Sequence, residues 1–566
     1  MKIIIIGGVA GGASAAARLR RLNEKADITI YERSGYMSYA NCGLPYYIGG
    51  TIREQRALTL QTPQSFQMRF RVDVKVRHEV TKIDPAKKTV TVSDLENGTT
   101  FEDTYDKLIL SPGAKPTIPN FPGIDNKKIF TLRTVEDAIA IHDFLENEKP
   151  HSAIVVGGGF IGLEIAENLK DLGLDVTIVE LMDHLLNNLD RDLASFLHAG
   201  LRKAGLNLAL KQEVAGFEDA ADGIRVLLKE NEPLTADMVV LAIGVTPESS
   251  LAKDAGLELG LKGSILVNDQ MQTSNPDIYA VGDAVQIRQF VTGKDAVIPL
   301  AGPANKQGRL AADNICGLDR HYPGSTGSSV IKAFDMTVAT TGLSEDAAKA
   351  LGIPYERIIL SPASHASYYP GDTTMNIKVV FEKESGKLLG AEIVGYDGVD
   401  KRIDVFATAI TVGMTGSQLM DLDLAYAPPY SSAKDPVNMA GFMIDNIVRG
   451  IVKQFHWDEI DALPRDGSVV LLDTRTPGEY GRGCADQFVN IPVDELRERL
   501  DEIEKGKPVY VMCQSGIRSY LSCRILTQNG FDCYNFSGGY RFYESVTKEI
   551  AAAKASYPCG VEKEAE

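Results

Sequence analysis

The chain has 566 residues, enough for three or four domains that each bury a core of their own. Charged residues make up 24% and hydrophobic ones 44%, and the formal charge of −17 argues against nucleic acid or an anionic membrane as the main partner. Seven scattered cysteines do not form a secreted disulfide framework, and no apolar stretch reaches the roughly 18 residues of a membrane helix, so the expectation is a cytoplasmic protein without a membrane span.

The first element, Ile3 to Ile6, is too short for a signal-peptide core and runs straight into Gly7-Gly8-Val9-Ala10-Gly11-Gly12, as a buried strand would. An Ala- and Arg-rich helical stretch follows, carrying Arg18, Arg20 and Arg21, then a strand from Ile28 to Tyr31 closed by Glu32 and Arg33. Next comes Ser38-Tyr39-Ala40-Asn41-Cys42-Gly43-Leu44-Pro45-Tyr46, with a single cysteine. The opening pattern then recurs. Ala153 to Val156 leads into Gly157-Gly158-Gly159-Phe160-Ile161-Gly162, a helix through Leu172 that carries Glu164, and a strand from Val176 to Val179 closed by Glu180. Strand, glycine turn, helix, strand and acid is the order that sets a pyrophosphate on a helix N-terminus and a ribose hydroxyl on the acid. The first copy departs from Gly-x-Gly-x-x-Gly, with Val9 at the middle glycine position. Glu180 would accept from the 2′-hydroxyl of NADH and repel the 2′-phosphate of NADPH, and no arginine follows it closely. NADH is therefore the expected nucleotide and NADPH the alternative.

A third segment, Thr273-Ser274-Asn275-Pro276-Asp277-Ile278-Tyr279-Ala280-Val281-Gly282-Asp283, completes a set that resembles the two-dinucleotide-domain flavoprotein disulfide reductases. The resemblance implies an α/β protein with two Rossmann-like domains and an α+β dimerisation domain. The FAD-binding domain would comprise residues 1–114 and 244–330, the NADH-binding domain 115–243, and the dimerisation domain of a homodimer 331–450. FAD would be held by Gly7, Val9, Ala10, Gly11, Gly12, Glu32, Arg33, Gly282 and Asp283. NADH would be held by Gly157, Gly159, Phe160, Ile161, Gly162, Glu164 and Glu180. No metal is expected.

The same resemblance makes Cys42 the redox group over the flavin. Relatives that cycle an internal disulfide carry a second cysteine five positions on, where this chain has Tyr47. Without that partner, Cys42 must work through a sulfenic acid or through a mixed disulfide with a substrate thiol. The first chemistry belongs to the family's NADH peroxidases and oxidases, which place a histidine where this chain has Ala10. The second belongs to the CoA-disulfide reductases, whose Gly-x-Val-Ala-Gly-Gly loop this one is similar to. Those enzymes protonate the departing thiolate with tyrosines of the partner subunit, at positions matched by Tyr368 and Tyr426, although Tyr369 and Tyr430 compete for the assignment. A phenol with a pKa of about 10 is a reasonable acid for a thiolate of about 8 to 9. By the same resemblance Arg18, Arg21, Ser38, Asn41 and Lys434 line the path of CoA, as a substrate or as a tightly bound carrier.

Past Gly450 the texture changes. After a linker-like stretch, 451–467, come Val469-Val470-Leu471-Leu472-Asp473-Thr474-Arg475 and later Pro508-Val509-Tyr510-Val511-Met512-Cys513-Gln514-Ser515-Gly516-Ile517-Arg518-Ser519. A strand ending in cysteine, then a tight loop, then Arg518 is an anion cradle, whose field favours the anionic form of a sulfur atom inside it. Residues 468–566 resemble the single-domain rhodaneses, including Phe536-Ser537-Gly538-Gly539-Tyr540. Four residues separate Cys513 from Arg518, the sulfurtransferase spacing; related phosphatases need one more. The combined expectation is NADH-driven, FAD-dependent reduction of CoA persulfide, polysulfide or CoA disulfide at Cys42, with sulfane sulfur handled at Cys513. The alternatives are a pure CoA-disulfide reductase with an independent rhodanese, an NADH peroxidase or oxidase, and a rhodanese domain that serves only as a sulfur-carrier docking module. Cys316, Cys484, Cys523, Cys533 and Cys559 are read as structural or incidental.

Overall fold

Ile3, Ile4 and Ile5 are fully buried because their strand, Lys2–Ile6, runs through the middle of a parallel sheet covered on both faces. The sheet order is Ile278–Ala280, Lys107–Leu110, Lys2–Ile6, Asp27–Glu32, Asp73–Val76, with every pair parallel. A second parallel sheet repeats the plan in the order Asn207–Ala209, Asp175–Val179, Ser152–Val156, Met238–Leu241, Ile129–Phe130. In each sheet a glycine turn leads from the central strand into a helix, Ala10–Leu22 in the first and Phe160–Asp171 in the second. The first of these packs on the helix Ala301–Ile315 at very short range, since a Cβ on Gly308 would lie 2.2 Å from the Gly11 carbonyl oxygen. The protein is seen here as a computed structural model that describes residues 1–221 and 223–555, so Cys559 lies outside the described residues. Both sheets belong to one of two units, Met1–Leu181 with Leu206–Gly327; the other comprises Met182–Gly205 and the residues from Ser328 onward.

The second unit holds two further sheets. One is antiparallel, in the order Ser329–Ala333, Met336–Gly342, Leu388–Gly395, Asn376–Glu382, Tyr355–Leu360, and is joined by the helices Val399–Thr411 and Pro436–Val448. The other is parallel, in the order Lys453–Phe455, Cys533–Phe536, Val509–Met512, Val470–Asp473, Val489–Asn490. The α/β expectation, with an α+β domain ahead of a C-terminal α/β domain, matches this architecture.

Two boundaries differ from the sequence reading. Lys453–Phe455 falls in the stretch read as a linker, yet it pairs with Cys533–Phe536 as an edge strand of the C-terminal sheet. Met182–Gly205, read as part of the NADH domain, belongs to the second unit. Its helix, Arg191–Lys203, buries Leu193, Leu197 and Leu201. Asp190 and Asp192 are buried too, and the buried Lys378 ammonium lies 2.9 Å from each and 2.6 Å from Glu345. Asp190, Asp192 and Glu392 cluster closely enough to hold a metal ion, but Lys378 already supplies the positive charge there. Burial, then the charge of Asp190, pushes the Glu392 carboxyl well above the usual carboxylate range.

Candidate active site

Both glycine turns are shaped by the same two requirements. Gly7 has φ +96° and Gly157 φ +109°, a left-handed backbone that side chains rarely adopt. A Cβ on Gly12 or Gly162 would lie 1.9 Å from the Gly7 or Gly157 carbonyl oxygen, so each helix starts hard against its turn. Neither helix has a side-chain cap or an acidic residue in its first turn. The N–H groups there are therefore open to a phosphate, and nothing lies within 4 Å of a Cβ built on Gly159. The two acids hold the turns from below. Glu32 accepts from the Gly8 N–H at 2.8 Å and the Ser34 N–H at 2.9 Å, and Glu180 accepts from the Gly158 N–H at 2.6 Å. Val9, Ala10, Phe160 and Ile161 stand at the two helix starts. The donor set fits two dinucleotides. Arg33 is exposed and lies 3.6 Å from Glu248, away from the Glu32 hydrogen bonds.

Cys42 sits in a short 3-10 turn, Asn41–Gly43, ahead of the helix Leu44–Ile48. Ser38, just before it, has φ +45°, and its N–H donates to the Gly8 carbonyl at 2.8 Å, so this segment is fastened to the first turn. Asn41, oriented to satisfy its neighbours, donates to the Arg133 carbonyl and accepts from Arg133 Nη1, both at 3.0 Å. Arg133 Nη2 in turn lies 2.8 Å from Asp283 Oδ2, beside Gly282, whose N–H donates to Gln307. Cys42 carries no disulfide, and Tyr47 is a buried ring stacked on His142 at 5.1 Å. The surroundings of the sulfur push the Cys42 thiol up by burial first, then by the charge of Glu164. Glu164 is itself raised to about 7, by burial and by Glu167. Of the arginines assigned to CoA, Arg18 forms an ion pair with Asp313 at 2.5 Å, whereas Arg21 is exposed and spends only its Nε–H, on the Ala17 carbonyl.

In the second unit the hydroxyls of Tyr368 and Tyr426 lie 2.5 Å apart, and the two rings are 74% and 45% exposed. That mutual hydrogen bond raises the Tyr426 phenol. Tyr369 packs edge-on against His365, and Tyr430 is exposed but does not join the pair. Lys434 is exposed at the rim of a cavity of about 380 Å³ lined by Met439, Phe442, Met443, Ser515, Gly516 and Ile517.

Ser515 and Gly516 belong to the C-terminal cradle. Cys513 is fully buried, and its sulfur accepts from the Gly516 N–H at 3.1 Å and lies 3.3 Å from the Ser519 hydroxyl. Asp473 and Arg475 form a buried pair at 2.7 Å, and Arg475 lies over the Tyr540 ring at 4.0 Å, which locks the floor of the loop. Gly539 has φ +75°, and a Cβ there would meet the Ser515 nitrogen at 2.5 Å, so that position admits only glycine. Arg518, which the sequence places as the closing arginine of the cradle, lies in the first turn of the helix Ile517–Gln528. Its guanidinium is bidentate to Glu479 at 2.7 Å on both arms, and this holds the Glu479 carboxyl down to about 2.

Comparison with known proteins matches residues 1–308 to "Pyridine nucleotide-disulphide oxidoreductase", 328–436 to the dimerisation domain of the same family, and 456–545 to "Rhodanese-like domain". The chain belongs to the pyridine nucleotide-disulphide oxidoreductases. It is an oxidoreductase of that family with a C-terminal rhodanese domain, and the family fold implies FAD and NAD(P)H. A Coenzyme A disulfide reductase of Staphylococcus aureus is 36% identical over 442 residues, 78% of this chain and 99% of the relative. Among solved structures, reduced Bacillus anthracis CoADR-RHD superposes with a TM-score of 0.95 at 48% identity, covering 97% of this chain and 98% of that one. An NAD-dependent persulfide reductase from A. fulgidus gives 0.89 at 39%, covering 96% and 100%.

Three residues of this oxidoreductase escaped the sequence reading. Glu479 closes a Thr-x-x-Glu capping box with Thr476, a visible pattern whose second role at Arg518 is not. Ser519 stands in the cradle motif itself, but its facing of Cys513 depends on the helix phase. Arg133, which touches both Asn41 and Asp283, precedes the Thr134–Asp137 capping box and has no marker of its own.

Proposed function

We propose that this protein is a cytoplasmic, homodimeric, FAD-dependent reductase that prefers NADH and acts on CoA persulfide or polysulfide, with CoA disulfide as a second substrate. The observation that carries the reading is the sulfur cradle around Cys513, whose outer wall, Ser515 and Gly516, also walls the cavity with Lys434 at its rim. An apolar slot of this size with one cation at the mouth suits a pantetheine arm whose phosphates stay outside. The persulfide reductase relative and the CoA disulfide reductases support the substrate class, and Glu180 supports NADH.

Cys42 attacks the CoA sulfur of CoA–S–SH, hydrosulfide leaves, and Cys42 is held as a mixed disulfide with CoA. Bound FAD would supply the two electrons of NADH that cleave this bond to two thiolates. Tyr368 and Tyr426 of the partner subunit give the departing CoA sulfur its proton, and their shared hydrogen bond lets one phenol stabilise the other as it ionises. Arg133 orients Asn41 beside Cys42. Cys513 accepts sulfane sulfur from a donor and passes it to CoA.

A pure CoA-disulfide reductase with an independent rhodanese is the second reading, favoured by relatives whose whole length the reductase portion matches. Cys513→Ala separates the two. Reduction of preformed CoA persulfide should survive, while NADH consumption with polysulfide as donor should fall; equal rates with polysulfide would favour the second reading.

A further inference from the structure

The cavity of about 380 Å³ that Ser515 and Gly516 wall has an apolar side and an amide side. The apolar side comes from the helix Pro436–Val448, through Met439, Phe442 and Met443. The amide side comes from the C-terminal sheet, where Gln454 of the strand Lys453–Phe455 is paired in register with Asn535 of the strand Cys533–Phe536. Partnered residues of adjacent parallel strands project to the same face about 4.8 Å apart, and both of these line the cavity. Asn535 is only 6% exposed, and its Oδ1 has no hydrogen-bond partner among the described residues. A buried carbonyl left without a donor is costly, and the broad terminal torsion of asparagine lets this one turn onto the cavity. Gln454 is fixed through its Nε2, which donates to the Arg357 carbonyl at 2.6 Å, and that bond leaves its Oε1 as an acceptor. Among the described residues no acid lines the cavity, and its one cation is Lys434 at the rim.

We propose that Asn535 and Gln454 are specificity-determining residues of this cavity, their side-chain carbonyls accepting from the two amide N–H groups of a pantetheine arm whose thiol discharges Cys513. The two amide nitrogens of such an arm stand four bonds apart, a span of about 5 Å when extended, close to the strand spacing that separates the two carboxamides. The arm is uncharged along this length, which suits walls without an acid, and its phosphate end lies towards Lys434. The inference rests on the reading that CoA takes the sulfur of Cys513. In that step the thiolate of the arm attacks the outer sulfur of the Cys513 persulfide, the S–S bond to Cys513 breaks, and Cys513 leaves as a thiolate. One S–S bond forms as one breaks, so no other oxidant or reductant is needed. N-acetylcysteamine shares the thiol end of the arm but has one amide only, so it leaves one of the two carbonyls without a donor.

The test uses the full-length FAD-loaded protein without NADH, its Cys513 loaded with sulfane sulfur from sodium tetrasulfide. Discharge by added thiols is followed by quenching and mass spectrometry of the Cys513 peptide. In the wild type, pantetheine should discharge Cys513 roughly fivefold faster than N-acetylcysteamine, the effect of one hydrogen bond. In Asn535→Leu, which keeps the branched side-chain shape, the ratio of the pantetheine rate to the 2-mercaptoethanol rate should fall roughly fivefold. General damage to the domain would slow both thiols and leave that ratio alone. Equal wild-type rates for pantetheine and N-acetylcysteamine, or an unchanged ratio in Asn535→Leu, would overturn the proposal. Either result alongside discharge by CoA would overturn this proposal alone, whereas wild-type Cys513 that CoA cannot discharge would overturn the reading beneath it as well.

Discussion

Ser519→Ala offers a direct reading of what the cradle contributes to sulfur chemistry. The Ser519 hydroxyl has one proton and two acceptors in reach, the Cys513 sulfur at 3.3 Å and the Gly516 carbonyl at 3.1 Å. When Cys513 is anionic, the bond to sulfur is charge-assisted and contributes about 1.5–3 kcal/mol, but forming it gives up a neutral bond to Gly516 of about 1 kcal/mol. The net, about 0.5–2 kcal/mol, corresponds to a loss of roughly 2- to 30-fold in sulfur transfer. The second donor, the Gly516 N–H at 3.1 Å, is backbone and survives the substitution. The assay is sulfur transfer from thiosulfate to cyanide. Ser522→Ala is the control. Its hydroxyl is equally buried on the same helix but bonds to the Arg518 carbonyl at 2.9 Å. Full activity in Ser519→Ala would refute the idea that the hydroxyl serves the sulfur anion.

Three further outcomes follow from the charges. Glu164→Gln removes an anion that raises the Cys42 thiol, so alkylation of pre-reduced Cys42 at pH 8 should quicken about fivefold, for an interaction of about 1 kcal/mol. The gain should fade below the Glu164 value of about 7, where the wild-type carboxyl is already neutral; a gain that persists at low pH would contradict this. Lys378→Met leaves Asp190, Asp192 and Glu345 buried without their ammonium and should cost about 3–5 kcal/mol. Denaturant unfolding followed by Trp457, the only tryptophan, whose indole donates to Asp192 at 3.2 Å, reads this, and an unchanged midpoint would argue against it. Burial opposes the charge on Glu549, but hydrogen bonds from His198 and Arg202 hold its carboxyl down to about 2, from 4.5. Its folded value is depressed, so its contribution, about 3 kcal/mol at most, is present above pH 4.5 and lost as pH falls through 2. The stability gap between wild type and Glu549→Gln should therefore narrow steadily below pH 4.5, and a gap independent of pH would rule the linkage out.

The double dinucleotide plan was legible because its signals are local: an apolar strand, glycines where φ is positive or a Cβ would clash, and an acid at a fixed distance beyond. Cys42 and Cys513 stand out in the sequence because each sits in a short local motif. What the sequence hid is pairing across distance. Arg18 reads as a free cation until Asp313, nearly three hundred positions later, is seen to hold it. Nothing local marks Glu479 as the partner of Arg518, 39 positions later. Lys453–Phe455 looked like linker because three residues are too few to show a strand's period. Met182–Gly205 was assigned by chain continuity, whereas its buried aspartates follow Lys378.

The most direct test of the central claim is anaerobic NADH consumption by the FAD-loaded protein, with CoA persulfide compared against CoA disulfide and sulfide measured in parallel. The account predicts faster turnover with the persulfide, one sulfide released per NADH, and loss of both in Cys42→Ser. Faster turnover with CoA disulfide, no sulfide, or full persulfide activity in Cys42→Ser would contradict it.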